Sequence, residues 1–256
     1  YESDYWVGNF EGVASDCSVL NTYKRDCFRI SPKVLNVAKF IDIYGIANNH
    51  VMEHGENAYI EMIDNLKSRS HIFGNIENKS IVVEQEGKKV GIVGFSMRND
   101  GLPYNPLYWY SPECFEIEDE FKKIEFCDYK VAYIHWGVEF VDCPYNEQIK
   151  IAHWLIDLGF DLIIGMHPHV LQGYEIYKGK YIFYSLGNFV FNMAWENTKY
   201  GAIVKLDVAD GSVSYDYIRI DDNYCPMVVS EREVPLFLRF ATLNDKINNV
   251  ENVETY

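Results

Sequence analysis

The stretch Gly165-Met166-His167-Pro168-His169 decides the fold prediction, because it places two histidines directly after a strand signal. The preceding run Asp161-Leu162-Ile163-Ile164 is short, apolar and rich in β-branched residues, which predicts a buried strand. Pro168 fixes its own φ and favours an extended His167, so we expect a stiff loop. Neutral imidazole is the commonest protein ligand for zinc, manganese and iron-type cations. Taken alone, the stretch fits two interpretations about equally: a metal site, or two histidines that merely cap a strand.

Two other stretches share this layout and favour the metal site. The apolar run Ile43–Ala47 ends in Asn48-Asn49-His50, and the strand signal Tyr129–Ile134 ends in His135-Trp136-Gly137. Because ligands of open α/β sheets bind at the carboxyl ends of strands, we expect these histidines to meet in one cleft. Three histidines lie outside this pattern and are interpreted as surface or packing residues: His54, His71 and His153.

Composition bounds the class of protein. The chain has 256 residues, of which 48% are hydrophobic, enough for one large α/β domain with a full core and too many for a disordered chain. Its formal net charge of -15 disfavours nucleic acid and anionic membranes as partners. An anionic substrate would need local positive charge, which a bound metal ion supplies most simply.

The cysteines and the hydropathy pattern give expectations about the redox state of the thiols and the cellular compartment. None of the six cysteines forms a C-x-x-C pair, so we expect no zinc–thiolate site. The cysteines are too sparse for a disulfide scaffold, so we expect reduced thiols, with a Cys17–Cys27 bridge as the alternative. No apolar run reaches transmembrane length, and no signal peptide is present. We therefore expect a soluble domain whose compartment is open: it is cytoplasmic, or it is tethered at the cell surface by a segment absent from this sequence, which begins at Tyr1.

Strand and helix signals alternate along the chain and show no domain boundary, so we predict a single domain over residues 1–256. Ser31-Pro32 suits the start of a helix that runs to about Phe40. Residues 200–256 predict a hairpin that turns at Asp210-Gly211 and a C-terminal helix over Glu231–Asn249.

Five motifs within residues 6–191 carry a resemblance to a known family. In chain order they are Asn9-Phe10-Glu11-Gly12, Ala47-Asn48-Asn49-His50, His135–Phe140, His167–Gly173 and Tyr184–Phe191. Together they resemble the bacterial capsule-synthesis CapA family, also described as poly-γ-glutamate synthesis proteins. That family is similar to the calcineurin-like metallophosphoesterases. Each motif alone is weak, whereas five in order at strand ends are specific.

The resemblance implies an α/β fold in which two facing β-sheets are flanked by helices, a metallophosphoesterase-like sandwich. Family members usually open with a strand that ends in Gly-Asp and supplies a metal carboxylate. No such stretch precedes the first motif here, so we expect this chain to lack that strand and to have few ligands around His169.

The resemblance also implies roles for individual residues. It implies one or two divalent metal ions of the manganese, zinc or iron type, held by Glu11, Asn49, His135, His167 and His169. His50 would act as general acid or stabilise developing phosphate charge, and two metals would clamp the attacking and leaving oxygens. Asn9 would lie beside Glu11 at the substrate. Arg29 matches an arginine of the family and could grip a phosphate or carboxylate, although a surface salt bridge explains it equally well.

The motifs and the resemblance lead to three candidate functions. The first is a metal-dependent hydrolase of the metallophosphoesterase type that acts in, or is related to, capsule or poly-γ-glutamate synthesis. The alternative is a non-catalytic accessory or polymer-binding protein that keeps the fold. The third is a mononuclear metal hydrolase that cleaves an amide or γ-glutamyl bond. The expected substrate is an anionic small molecule or polymer, either a phosphate ester or polyglutamate-like.

Overall fold

A computed structural model describes residues 5–17, 27–98, 106–191 and 193–250. These residues form a mixed α/β protein with several sheets and four α-helices, which confirms the predicted class. The helices are α1 Gly55–Lys67, α2 Cys114–Ile124, α3 Asn146–Leu158 and α4 Phe240–Val250. The strands are β1 Val7–Asn9, β2 Val13–Ala14, β3 Arg29–Ile30, β4 Ile43–Gly45, β5 His71–Phe73, β6 Ser80–Gln85, β7 Lys88–Ser96, β8 Tyr129–His135, β9 Leu162–Met166, β10 Tyr174–Tyr177, β11 Lys180–Phe183, β12 Tyr200–Leu206, β13 Val213–Ile220 and β14 Pro226–Val229.

The described residues fall into two compact units. The first unit takes its residues from 1–83, 91–126 and 133–135. The second takes them from 84–90, 127–132 and 136–256. The single domain expected from the sequence stays a prediction.

The first unit contains a parallel sheet in the order β1-β4-β5. Asn9 pairs with Gly45 in this sheet, so β1 and β4 end at the same edge. The backbone continues this alignment past the strands, because Phe10 N donates to Gly45 O at 2.9 Å. As a result, the polar residues after β1 lie beside those after β4. Helix α1 covers the sheet with four buried apolar side chains: Ala58, Tyr59, Met62 and Leu66.

A six-stranded sheet has the order β10-β11-β9-β8-β7-β6. In the second unit, β9 and β11 run parallel, with Ile163 opposite Ile182. Strands β10 and β11 form a hairpin. Its turn residues Lys178 and Gly179 both have positive φ, 49° and 79°, as a two-residue turn of type I′ requires.

The C-terminal part of the second unit contains the antiparallel sheet β12-β13-β14, which includes the predicted hairpin, and helix α4. The predicted helix over residues 231–249 is wrong in its first half, where the structure has two short 3₁₀ turns. Pro235 lacks a backbone N–H and disfavours the helical region at Val234, which has φ -81° and ψ 130°. The α-helix therefore starts only at Phe240, whose N–H donates to Tyr217 Oη at 2.7 Å.

The predicted helix over residues 31–40 is also corrected. In the structure this range contains a 3₁₀ helix that spans only Pro32–Asn36 and buries only Leu35. Val37 follows and is 81% exposed. Because most helical stability comes from packing an apolar face, this segment has little to extend it into an α-helix.

Candidate metal centre

Glu11 lies in the loop after β1, where two asparagines orient its neighbourhood. Asn9 Nδ2 donates to Glu11 Oε2 at 3.0 Å. Asn48 Nδ2 donates to Phe10 O at 2.7 Å and lies 3.4 Å from Asn9 Oδ1. The two amides thus connect the loops that follow β1 and β4, and they fix one oxygen of the carboxylate.

The other oxygen of Glu11 faces the end of β8 in the same unit. His135 is the last residue of that strand and is fully buried. Its Nε2 lies 2.7 Å from Asn49 Oδ1 and 3.8 Å from Glu11 Oε1. Glu11 and His135 each offer an atom that can hold a metal ion, and these atoms lie within 4.8 Å of one another. A carboxylate, an amide oxygen and an imidazole therefore come together at strand ends, as predicted.

His50 lies beside this group but is held by a different contact. Its Nδ1 is 2.7 Å from Glu53 Oε1, and its Nε2 is 3.8 Å from Glu11 Oε1. Glu53 is fully buried, and its second oxygen accepts a hydrogen bond from Phe28 N at 2.9 Å. The Phe28 ring packs on His50 with centroids 4.2 Å apart. These contacts orient the ring so that Nε2 faces Glu11.

Sequence reasoning missed Glu53. It lies three residues after His50, a spacing at which side chains on one turn of chain can meet. This spacing was the sequence signal that could have identified Glu53 as a partner of His50. Only the structure shows that its carboxylate contacts His50 Nδ1.

The buried phenol of Tyr133, in the first unit, has a pKa that is affected by Glu11. Burial, and next the charge of Glu11, raise the pKa of the Tyr133 phenol above its usual value. The ring also packs against Gly45, where an added Cβ would come within 2.8 Å of it. Gly45 thus allows β4 to approach the tyrosine, and the acidic side chain of Glu11 acts on a poorly solvated phenol.

The second unit holds the other two predicted ligands, His167 and His169. Both are buried and lie just after β9, with their ring centroids 6.1 Å apart. Their φ angles are 103° and 58°, in a region that non-glycine residues rarely adopt. The extended His167 expected from Pro168 is therefore wrong. Such conformations cost about 1–3 kcal/mol each and cluster at functional sites.

Asn188 orients one of these histidines. His169 Nδ1 lies 2.9 Å from Asn188 Oδ1, and Asn188 Nδ2 donates to Thr198 O at 3.0 Å. Because the Nδ2 contact identifies which end of the amide is the donor, the oxygen faces the histidine and accepts from Nδ1–H. In that tautomer the lone pair of the ring lies on Nε2.

Arg29 behaves as a structural residue in these contacts. It lies on β3 and is exposed. Its Nη1 donates to Ser15 O at 3.0 Å. Of the predicted site residues in the first unit, the structure brings together Asn9, Glu11, Asn49, His50 and His135, whereas Arg29 is engaged with a backbone carbonyl.

Two further findings concern the chain as a whole. All six cysteines are free thiols, so the structure contains no Cys17–Cys27 bridge. Among the residues that the structure describes, no helix has both the length and the apolar character needed to cross a membrane.

An α/β fold with carboxylate, amide and imidazole donors at strand ends defines a candidate metal-binding protein. The chain belongs to the family described as bacterial capsule synthesis protein PGA_cap, which it matches over residues 1–193. The resemblance drawn from the five motifs is therefore confirmed.

Individual relatives agree with this assignment. The chain is 30% identical over 240 residues to the PGA biosynthesis protein CapA of Bacillus subtilis, covering 86% of this chain and 62% of that protein. It is 31% identical over 235 residues to the capsule biosynthesis protein CapA of Bacillus anthracis, covering 83% and 56%. The chain thus spans about 60% of the length of these relatives. Among solved structures, a phosphatase from Mycoplasma pneumoniae is similar with a TM-score of 0.44 and 15% identity, over 75% of this chain and 88% of that one.

Proposed function

We propose that this chain is a metal-dependent hydrolase of the metallophosphoesterase type that acts in, or alongside, capsule and poly-γ-glutamate synthesis. The contact between Glu11, Asn49 and His135 carries the proposal. Distances of 2.7 Å and 3.8 Å separate His135 Nε2 from the amide and carboxylate oxygens. Oxygen and imidazole donors of this kind fit a divalent cation of the zinc, manganese or iron type.

These residues would hold the ion, and the loops around them would keep the donors in place. When bound, a divalent cation polarises a phosphoryl or carbonyl oxygen and lowers the pKa of a bound water. Asn9 keeps one Glu11 oxygen engaged, and the other lies 3.8 Å from His135 Nε2, where the two could share an ion. His167 and His169 are proposed as further ligands, so that the protein would take one or two ions.

His50 would transfer the proton. Its Nδ1 is engaged with the buried Glu53 carboxylate, which leaves Nε2 as the atom that can donate to a leaving oxygen. A carboxylate behind an imidazole fixes the ring orientation and stabilises its protonated form, which a general acid needs. Glu53 is therefore proposed as a positioning residue for His50.

The substrate class follows from charge. With a formal net charge of -15, the protein needs a local cation to attract a phosphate ester or another anionic substrate. The proposed metal supplies that charge. Asn9 and Arg29 stay predicted substrate contacts. The hydrolase proposal does not require that either residue binds the substrate.

Elemental analysis combined with a substrate panel tests the proposal. The panel contains phosphomonoesters, phosphodiesters and γ-glutamyl peptides. The parent protein should hold stoichiometric metal and hydrolyse a phosphate ester. His135→Ala should lower metal affinity by at least about 10–100-fold, because even the loss of a residue behind a ligand has that effect. His71→Ala, at an exposed histidine of β5, is the matched control and should change neither quantity.

The other outcomes separate the three functions. Equal metal content in His135→Ala and the parent would rule out the ligand assignment. A folded parent with no metal and no turnover would favour the accessory, polymer-binding function. Selective cleavage of γ-glutamyl peptides would favour the amide hydrolase.

A further inference from the structure

Phe140 and Trp195 form an exposed aromatic pair in the second unit. Their ring centroids lie 4.4 Å apart at an interplanar angle of 83°. Phe140 is 38% exposed and Trp195 is 59% exposed. Single exposed apolar residues are common, but two large rings that contact each other and both face solvent are typical of a binding surface.

This aromatic pair lies beside a predicted metal ligand. The Phe140 ring stacks on the His169 ring, with centroids 6.1 Å apart and an interplanar angle of 28°. Phe140 N also donates to Pro168 O at 2.8 Å, which ties the two loops together. Phe140 has a φ of 64°, an unfavourable conformation for a bulky residue. The fold thus holds Phe140 next to the histidine, and Trp195 contacts Phe140.

The charges next to the pair argue against an anionic polymer as its ligand. Glu139 precedes Phe140, and Glu196 follows Trp195. Glu196 lies 3.6 Å from Lys199 and 3.7 Å from Arg219, and all three are partly or fully solvent-accessible. The charged groups beside the pair therefore nearly balance, without the surplus of positive charge that a polyanion needs, and they offer both donors and acceptors to hydroxyl groups.

The ring geometry argues against a nucleobase. A flat base binds best between or on parallel faces, whereas these two rings meet nearly at right angles. A ring bordered by a second ring at nearly a right angle suits a puckered ligand, whose C–H bonds can lie on a ring face while its hydroxyls reach neighbouring polar groups.

We propose that Phe140 and Trp195 form a subsite for the pyranose ring of a sugar phosphate. This inference deepens the proposed function and rests on it for the phosphate group, which the metal would bind. The aromatic pair would then select the sugar part of the substrate.

Binding measurements test the subsite without requiring turnover. Isothermal titration calorimetry, with and without added Mn²⁺, would compare glucose 1-phosphate, galactose 1-phosphate and N-acetylglucosamine 1-phosphate with glycerol 3-phosphate. Saturation-transfer NMR with methyl glucoside would report on the ring alone. At least one sugar phosphate should bind more tightly than glycerol 3-phosphate. Trp195→Ala should weaken its binding by about tenfold, as truncation of an aromatic hot spot does, and leave glycerol 3-phosphate within about twofold.

Two control variants sharpen the test. Trp195→Phe keeps an aromatic face and should restore most of the sugar affinity. Phe237→Ala removes another exposed ring of the second unit, 48% exposed, and should have no effect.

Several results would overturn the proposal: no preference for any sugar phosphate over glycerol 3-phosphate, tighter binding of adenosine 5′-monophosphate, or Trp195-dependent binding of γ-linked triglutamate. The failure of the hydrolase proposal would look different. In that case metal and turnover would be absent, while methyl glucoside would still bind in a Trp195-dependent manner.

Discussion

Two loops of this protein each orient a histidine through its Nδ1 atom. They differ in the group that accepts the hydrogen bond and in the backbone conformation of the histidine. In the loop after β4, His50 Nδ1 meets the carboxylate of Glu53 at 2.7 Å. In the loop after β9, His169 Nδ1 meets the amide oxygen of Asn188 at 2.9 Å. His169 has a positive φ of 58°, and His50 is not among the described residues with positive φ.

The difference separates two chemical roles. A charged acceptor stabilises an imidazolium, which can give a proton from Nε2. A neutral acceptor fixes the neutral tautomer whose Nε2 lone pair can bind a metal. We therefore propose proton transfer for His50 and metal binding for His169.

Removing the proposed proton donor should have the largest effect. His50→Ala should lower turnover by about 10²–10⁴-fold, the contribution of a positioned general acid, and leave metal content nearly intact. Hydrolysis rates and elemental analysis on the purified variant measure both quantities, with the melting temperature as a control for folding. Loss of metal in parallel with turnover would place His50 among the ligands and end the contrast between the loops.

Neutralising the charged acceptor should have a smaller effect. Glu53→Gln keeps the size of the side chain but removes the negative charge behind His50. We expect turnover to fall on the order of tenfold to a hundredfold, less than the loss of the acid itself, with metal retained. A pH–rate profile should change its shape as well as its height, which a purely structural role would not produce. An unchanged profile would contradict the positioning role.

Removing the neutral acceptor, the Asn188 amide, should lower metal affinity and leave proton transfer unchanged. Asn188→Ala removes the oxygen that orients His169, and loss of such a residue lowers metal affinity by about 10–100-fold. We expect a value near the lower end, since Asn188 acts on one ligand only. Turnover should return at saturating metal. A permanent loss of turnover with full metal content would reverse the roles of the two loops.

The strand-end pattern was enough to predict which residues meet in the first unit. Parallel strands end at a common edge, so Asn9 and Glu11 had to lie near Asn48-Asn49-His50 once β1 and β4 paired. Glu53 and Asn188 could not be assigned in this way, because their roles depend on which ring nitrogen each contacts. Side-chain direction in a loop is set by tertiary packing rather than by local spacing.

The backbone errors have a similar origin. The rule that proline favours an extended preceding residue failed at His167, where tertiary contacts hold φ at 103°. The serine-proline start at Ser31 was correct as a helix start, but the segment buries only Leu35 and remains a short 3₁₀ helix. Local propensity located the start of this segment but not its length, whereas the C-terminal helix ends near its predicted last residue and starts only at Phe240.

The smallest expected effect concerns the negative charge of Glu11, in the loop after β1. Burial and the Glu11 carboxylate raise the pKa of Tyr133 in the folded protein. The unfolded chain releases that proton near the ordinary tyrosine value of about 10, so the contribution to stability is complete below that pH and declines as the pH rises above it. The free energy of unfolding, measured with urea at a series of alkaline pH values, should fall less steeply with pH in Tyr133→Phe than in the parent. The two slopes should differ by at most about 1.4 kcal/mol per pH unit. Glu11→Gln should give a change of the same sign and smaller size, because burial is the larger cause. Identical pH dependence in the parent and Tyr133→Phe would show that this phenol is solvated, and that Glu11 does not lie beside a buried group.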